Sequence, residues 1–503
     1  MERKAGDANM KRYGFLFGAG AELAYNLPSG GQFALDIFRQ DPAEPKQKFR
    51  EMRDKVDSTT SYANDWLPDK YKDKNISAFG KTVFENIISS TVEHNRTLII
   101  EKVNAFDDTA SWIASKMADV DVDGAFYRIL DREVSNIKLS QDIAYNESFN
   151  KGNQLFESHY FSSLLLAYKK LANNEKKSIL RRIILSVMQL QLGALSEELT
   201  KNINDNLFAK KDDGIDLFDD FGELIQINYK AAGVSGLELL LEKREYQTLT
   251  DEGIILTFAQ KLIENIYASV LDYKTLIDSN WHNLYCPRAD WAKFCKISIF
   301  LLTVRQYISE LGEKAKTANP DGYYNMLKDA IEARKYEATA IATTNYNSLI
   351  EDILERDITY LNGSTSVWYD PYLNKIGTED ELDDDEHHII VPLIFTQSGT
   401  KPMTAITMSV KYVDLYRTWK ESDAIVVVGF GFGADDEHIN GILRTLVNDD
   451  GKDLIIVTTG KNATAIARQK AKALKISDAS KIKVIPVEND GRCNGDRWVD
   501  LLS

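Results

Sequence analysis

The residues with chemical capacity cluster in four short segments, each directly after an apolar run. They are GAGAELAYNLPSG (18–30), TTNYN (343–347), NGS (362–364) and GFGFGADDEHIN (429–440). Glycines such as Gly18 and Gly20 remove the side chains that would keep backbone amides away from a phosphate at the start of a helix. The first turn is neither of the two common phosphate loops. Position 23 is Leu, where G-x-G-x-x-G needs its third glycine, and no Gly-Lys-Ser/Thr follows. Asn345 and Asn362 add carboxamides, which donate and accept hydrogen bonds without carrying charge. Polar residues and glycines end many strands, so each segment alone is a weak signal. Four, after the first, second, third and fifth of the apolar runs, make a stronger one, because ligands of open α/β sheets sit at the carboxyl ends of the strands.

The elements that must carry these segments are legible as apolar runs. Strand-like stretches occur at Tyr13–Phe17, Ala338–Thr343, Ile358–Leu361, Ile389–Ile394, Ala424–Val428, Leu454–Thr458 and Ile482–Val487. They are rich in Val and Ile and nearly continuous, as strands of a parallel sheet buried on both faces should be. Between 41 and 334 the period changes. No proline occurs from 69 to 286, and Leu180, Ile183, Ile184 and Val187 fall at helical spacing. The expected organisation is α/β. A Rossmann-like, mostly parallel sheet is built from residues 13–40 and 335–503, and a large α-helical insertion (41–334) interrupts it. KKDDGID (210–216) reads as a loop dividing the helical module, and GTEDELDDDE (377–386) as a solvated acidic loop.

Bulk properties narrow the classes. A length of 503 residues suggests about two to four units. The net charge of −15 argues against a general nucleic-acid binder, which must offer Lys and Arg to phosphates. It leaves room for a local dinucleotide pocket. The opening MERKAGDANMKRYG has no apolar signal core, and the longest apolar run, near ISIFLLTV (297–304), is too short for a bilayer. A cytoplasmic protein without membrane association is expected. Cys286, Cys295 and Cys493 form no C-x-x-C pair and are too few for a four-thiolate zinc ribbon. The expectation is free thiols in a reducing compartment and no metal.

Taken together, the four segments resemble the sirtuin family, and more closely the sirtuin-like NAD-degrading effectors of bacterial antiphage defence. The family's GAG-x-S…G-I-P turn is matched by GAGAELAYNLP (18–28), and its T-T-N-Y-D or T-Q-N-I-D segment by TTNYN. Its L-H-G-S segment is matched by LNGS (361–364), and its later glycine strand end by VVGFGFGADDEHI (427–439). The resemblance covers residues 13–31 and about 338–460. Departures are specific. Glu22 stands at the family's Ser, Asn26 at its Gly, and Ser29-Gly30-Gly31 at the Asp-Phe-Arg of deacylating members; Asn347 stands at its Asp and Asn362 at its catalytic His. Asn26 is a mild change, because Asn tolerates left-handed backbone.

The resemblance implies NAD+ as substrate. Its pyrophosphate would lie near Gly18, Ala19, Gly20 and Ala21, and its adenosine half near Gly429, Gly431 and Phe432. Glu22, Pro28, Ser29, Thr344, Asn347 and Gly363 complete the implied binding set, and Asn345 and Asn362 take the catalytic positions. Asn345 would contact the nicotinamide ribose and help place water near C1′. Asn362 cannot take a proton near neutral pH as His can. Hydrolysis does not depend on it entirely. Nicotinamide leaves as a neutral molecule without a general acid, and a missing base typically costs about 10²–10⁴-fold. His387, His388 and His438 lie in or near these segments as other proton acceptors.

Three readings follow from the resemblance. The first is an NAD+ glycohydrolase serving as a triggered defence effector, and the second an NAD- or ADP-ribose-binding sensor or partner subunit. The third is an NAD-dependent protein deacylase, disfavoured by the missing zinc cysteines and Phe-Arg. The size of the helical module predicts homo-oligomer or partner contacts. The resemblance adds an ATPase or a nucleotide-pyrophosphatase-like protein as the partner.

Overall fold

Strand β1 (Arg12–Phe17) shows how one run serves two faces. Tyr13, Phe15 and Phe17 enter one core with Tyr324, Val426 and Trp498. Leu16 enters the other with Trp419, Ile425 and Val427. Gly14 sits where a Cβ would lie 2.3 Å from the Trp419 ring, so the glycine admits the indole against the sheet. Such double burial requires apolar residues on both sides of the pleat, hence the near-continuous run.

The computed structural model describes residues 10–502 apart from 29, 118–119, 143–153, 195–214, 217–225, 228–236, 242–247, 270, 272–273, 384, 395–404 and 434–435. After β1 come β2 (Ile215–Asp216), β3 (Gln226–Ile227), β4 (Glu337–Thr343), β5 (Thr359–Tyr360), β6 (Gly363–Asp370), β7 (Lys375–Gly377) and β8 (Val391–Ile394). They are followed by β9 (Ala424–Val428), β10 (Asp453–Thr459), β11 (Ile482–Val487), β12 (Arg492–Cys493) and β13 (Asp496–Arg497). The central sheet has six strands in the order β11-β10-β9-β1-β4-β5, and every pair in it is parallel. Counted within that sheet the order is 6-5-4-1-2-3, the doubly wound, Rossmann-like arrangement. Its switch point falls between β1 and β9.

Six of the seven expected strands belong to this sheet. The run at Ile389–Ile394 does not. Its strand β8 pairs antiparallel with β6 in a separate three-stranded sheet, β7-β6-β8. A four-residue apolar run, buried throughout, reads the same in either sheet.

The chain forms two compact units. One comprises Met1–Ser29, Gln40–Phe79 and Lys274–Ser503; the other comprises Gly30–Arg39 and Gly80–Tyr273. The helical module is therefore cut differently from 41–334. The helices Ala43–Lys55, Trp291–Ala315 and Tyr323–Glu332 pack into the unit that holds the sheet.

In the second unit the helix Glu175–Ala194 buries Leu180, Ile183, Ile184 and Val187, the residues at helical spacing. Asp107 there fastens the start of the helix His159–Lys170. It accepts from Ser158 Oγ and from the amides of His159 and Tyr160. Of KKDDGID, residues 210–214 lie outside the described residues. The acidic stretch 377–386 is not all loop, since Thr378 and Glu381 form a reciprocal cap on a short helix, Glu379–Leu382. No helix among the described residues is long and apolar enough to cross a membrane.

Candidate functional site

Parallel register brings the carboxyl ends of four strands level. Phe17 pairs with Thr343 on one side and Val428 on the other, and Thr343 pairs with Tyr360. The segments after β1, β4, β5 and β9 therefore leave the sheet side by side, all in the unit that contains it.

At the switch point the two glycine turns lie against each other. The Gly18 amide donates to Val428 O at 2.9 Å, and the Gly20 amide to Gly429 O at 2.9 Å. Gly429 has φ +64°, and a Cβ there would lie 2.3 Å from the Ala21 amide nitrogen. A Cβ on Gly18 or Gly20 would approach Gly429 O to 2.7 or 2.8 Å. These glycines serve close approach of two loops. The amides of Gly18 and Gly20, and that of Ala21, which donates to Gly18 O, are spent within the fold and do not face a phosphate. Ala19 and Gly431 are exposed on the two loops, and nothing lies within 4 Å of where a Gly431 Cβ would be. Phe432, at φ +59°, is instead buried in the core beside Phe430.

Beside this seam is a buried polar cluster centred on Glu22, which is 6% exposed. Glu22 sits on a 3-10 turn, Ala19–Tyr25, closed by Asn26 in the left-handed conformation. The Tyr324 hydroxyl donates to Glu22 Oε1 at 3.0 Å, and Asn347 Nδ2 donates to Oε2 at 2.8 Å. Asn345 Nδ2 donates to the same Tyr324 hydroxyl at 3.2 Å. The loop after β4 is shaped to present both amides. Asn345 N donates to Thr343 Oγ1, and Asn347 Oδ1 accepts from Leu349 N at the start of a helix. Thr344 N donates to Phe17 O, joining this loop to β1.

Burial drives the Glu22 carboxyl up to about 7, against the opposing pull of its hydrogen bonds to Asn347, Tyr324 and Asn345; no cation is among the groups acting on it. The neutral donors offset only part of the cost of taking the charge out of water. Tyr324 is pushed well above the usual phenol range, first by burial and then by the neighbouring Glu22.

Asn362 follows β5 and is buried, and among the described residues its Oδ1 has no hydrogen-bond partner. An unsatisfied buried amide oxygen costs roughly 1–3 kcal/mol. The next residue, Gly363, has φ +88°, and a Cβ there would collide with Leu393 O. Tyr412 donates to Leu361 O at 2.6 Å, holding the carbonyl just before Asn362.

The remaining sequence candidates are spread out. Pro28 is half-buried at the end of the first turn, and Ser29 lies outside the described residues. His388 is locked between Asp370 (2.7 Å) and Glu386 (3.0 Å), and exposed His387 pairs with Asp383. His438 packs edge-on against Tyr412, and burial lowers its pKa.

Sequence reasoning missed Tyr324 and Tyr25. Their rings stack at 5.2 Å, and the Tyr25 hydroxyl accepts from Tyr324 N at 2.7 Å. Gly322 makes this possible, since a Cβ there would lie 2.3 Å from the Tyr25 ring. Nothing in the spacing links residue 324 to residue 22. A cavity of about 1000 Å³ lies at the opposite, amino ends of the strands, lined by Arg12, Arg334, Glu337, Arg356, Asp423 and Lys452. It contains none of the candidate residues, and ligands of open α/β sheets bind at the other end. The chain matches no protein-family model and no curated protein.

Proposed function

We propose that the chain binds NAD+ across the switch point between β1 and β9 and hydrolyses it to nicotinamide and ADP-ribose. The observation that carries the reading is the pair of buried carboxamides, Asn345 and Asn362, on the loops after adjacent strands, with Asn362 Oδ1 unpartnered among the described residues. That oxygen needs a donor, and a ribose hydroxyl is one. The dinucleotide would run past the exposed backbone at Ala19 and Gly431. In the reaction the C1′–N bond breaks with its electron pair leaving on the nicotinamide nitrogen. Water forms the new C1′–O bond, and its proton passes to solvent. Uncharged amides suit a positively charged oxocarbenium-like state, which a cation beside it would oppose.

The resemblance to sirtuin-like defence effectors supports this reading and adds a biological setting, NAD+ depletion triggered by infection or by a partner protein. One observation favours a second reading, binding without turnover: the carboxamide of Asn362 cannot accept a proton. Nicotinamide release from NAD+, measured for the protein with cells' infection lysate as the trigger, separates the two. Hydrolysis predicts release that is lost in Asn345→Ala and kept or raised in Asn362→His. Binding alone predicts no release, with NAD+ affinity weakened in Asn345→Ala by one hydrogen bond, about 0.5–1.5 kcal/mol. Full NAD+ consumption by Asn345→Ala would overturn the site assignment.

A further inference from the structure

We propose that Glu22 is a positioning residue: through the Tyr324 hydroxyl, its ionisation state sets which end of the Asn345 carboxamide is left for a ligand. The argument is one of donors and acceptors. A carboxylate only accepts, so while Glu22 is ionised the single Tyr324 hydroxyl proton must point at Glu22 Oε1, 3.0 Å away. The hydroxyl oxygen can then only accept from Asn345. Asn345 must turn its Nδ2 toward it, as it does at 3.2 Å, and leave Oδ1 for the site.

When Glu22 takes a proton the chain of donors reverses. Its Oε2 stays an acceptor because Asn347 Nδ2, 2.8 Å away, is fixed by Asn347 Oδ1 accepting from Leu349 N. The new proton therefore sits on Oε1 and is donated to Tyr324. The hydroxyl proton is then free to be donated to Asn345, whose amide must turn over to offer Oδ1 and leave Nδ2 for the site.

The groups facing Glu22 do not compete for this role. They are Tyr25 on its own turn, Tyr324 from the helix Tyr323–Glu332, Asn345 and Asn347 after β4, and Tyr360 on β5. Asp321 acts at one remove, on Tyr25, and Glu351 and Asp352 on Tyr360. Burial raises all three phenols above their ordinary range, so Glu22 is the member that changes charge near neutral pH. The proposal concerns this chain's own residues; its meaning for catalysis rests on the NAD+ reading.

The test follows the Asn345 side-chain amide directly. Protein labelled with 15N-asparagine is titrated from pH 5.5 to 8.5, and the Asn345 signal is assigned by its loss in Asn345→Ala. The expected result is a shift with its midpoint near 7 in the unmodified protein. It should be absent in Glu22→Gln and much reduced in Tyr324→Phe, where the carboxyl and its direct pull on Asn345 remain but the route through the hydroxyl is cut. Tyr324→Phe keeps the ring contacts, so it stands if Glu22→Gln fails to fold. No titration in the unmodified protein, or one of undiminished size in Tyr324→Phe, overturns the proposal. NAD+ itself is the second probe. Its affinity should differ about 2- to 12-fold across the same pH range, one hydrogen bond's worth, and the difference should shrink in Tyr324→Phe. If the amide titrates as expected but NAD+ does not bind, the relay stands and the NAD+ reading falls.

Discussion

The two edges of one parallel sheet are built on opposite electrostatic terms. At the amino ends, charges are many and wet. Arg12 meets Glu337 at 3.4 Å, its backbone amide donates to Asp423, and Lys452 reaches Ser422 O. At the carboxyl ends Glu22 is buried, the groups acting on its carboxyl are neutral, and an amide oxygen in the next loop has no partner among the described residues. Water screens the first edge, so its pairs are individually weak. The buried cluster around Glu22 is screened far less, so its donors weigh more in setting protonation and orientation. The cavity of about 1000 Å³ lies at the first edge, and the candidate residues lie at the second.

The largest break in that comparison is expected from Asn345→Ala. If the carboxyl edge is the reactive one, nicotinamide release should disappear while unfolding free energy falls by only about 0.5–1.5 kcal/mol, the loss of the buried hydrogen bond to Tyr324.

Next comes Glu22→Gln. Between the ordinary glutamate value of 4.5 and about 7, the folded protein holds a proton that the unfolded chain has released. Raising the pH through that window therefore shifts the balance toward unfolding, and stability levels off above about 7. The full shift corresponds to about 3 kcal/mol. Denaturant unfolding at pH 5 and pH 8 should show this fall in the unmodified protein and a much smaller one in Glu22→Gln.

The glycine seam supplies the third test. Gly429→Ala puts a methyl group 2.3 Å from a backbone nitrogen at φ +64°, and should destabilise by about 1–3 kcal/mol. Gly431→Ala, two residues on in open space, should be close to neutral. Equal effects at the two positions would mean the loops are not locked together. The smallest effect belongs to the amino edge, where Glu337→Gln should change unfolding free energy by no more than about 0.5 kcal/mol, the usual range for an exposed substitution.

Much of the frame was legible in the chain itself. The runs of β1, β9 and most of β10 are apolar on both faces of the pleat, a pattern that few other settings accept, and the ends of the runs mark where a site can be. Asn345, Asn347, Asn362 and Glu22 could be named because they follow those ends directly. Gly18, Gly20 and Gly429 could be named too, but as phosphate loops. Their close contacts and the left-handed φ of Gly429, which depend on where another strand lies, show a seam between turns. The strand Val391–Ile394 was misplaced because burial on both sides does not reveal whether a neighbour runs parallel or antiparallel.

What the sequence by itself determined was therefore the type and order of the elements, since periodicity and turn residues act over a few neighbours. Only the tertiary structure decided that residue 22 meets residue 324. Tyr324 OH and Glu22 Oε1 are 302 positions apart in the chain and 3.0 Å apart in space. The desolvation that brings Glu22 to about 7 is a property of everything packed around it, from several elements at once. No local pattern encodes it, because a glutamate in water and a glutamate in a core are the same letter.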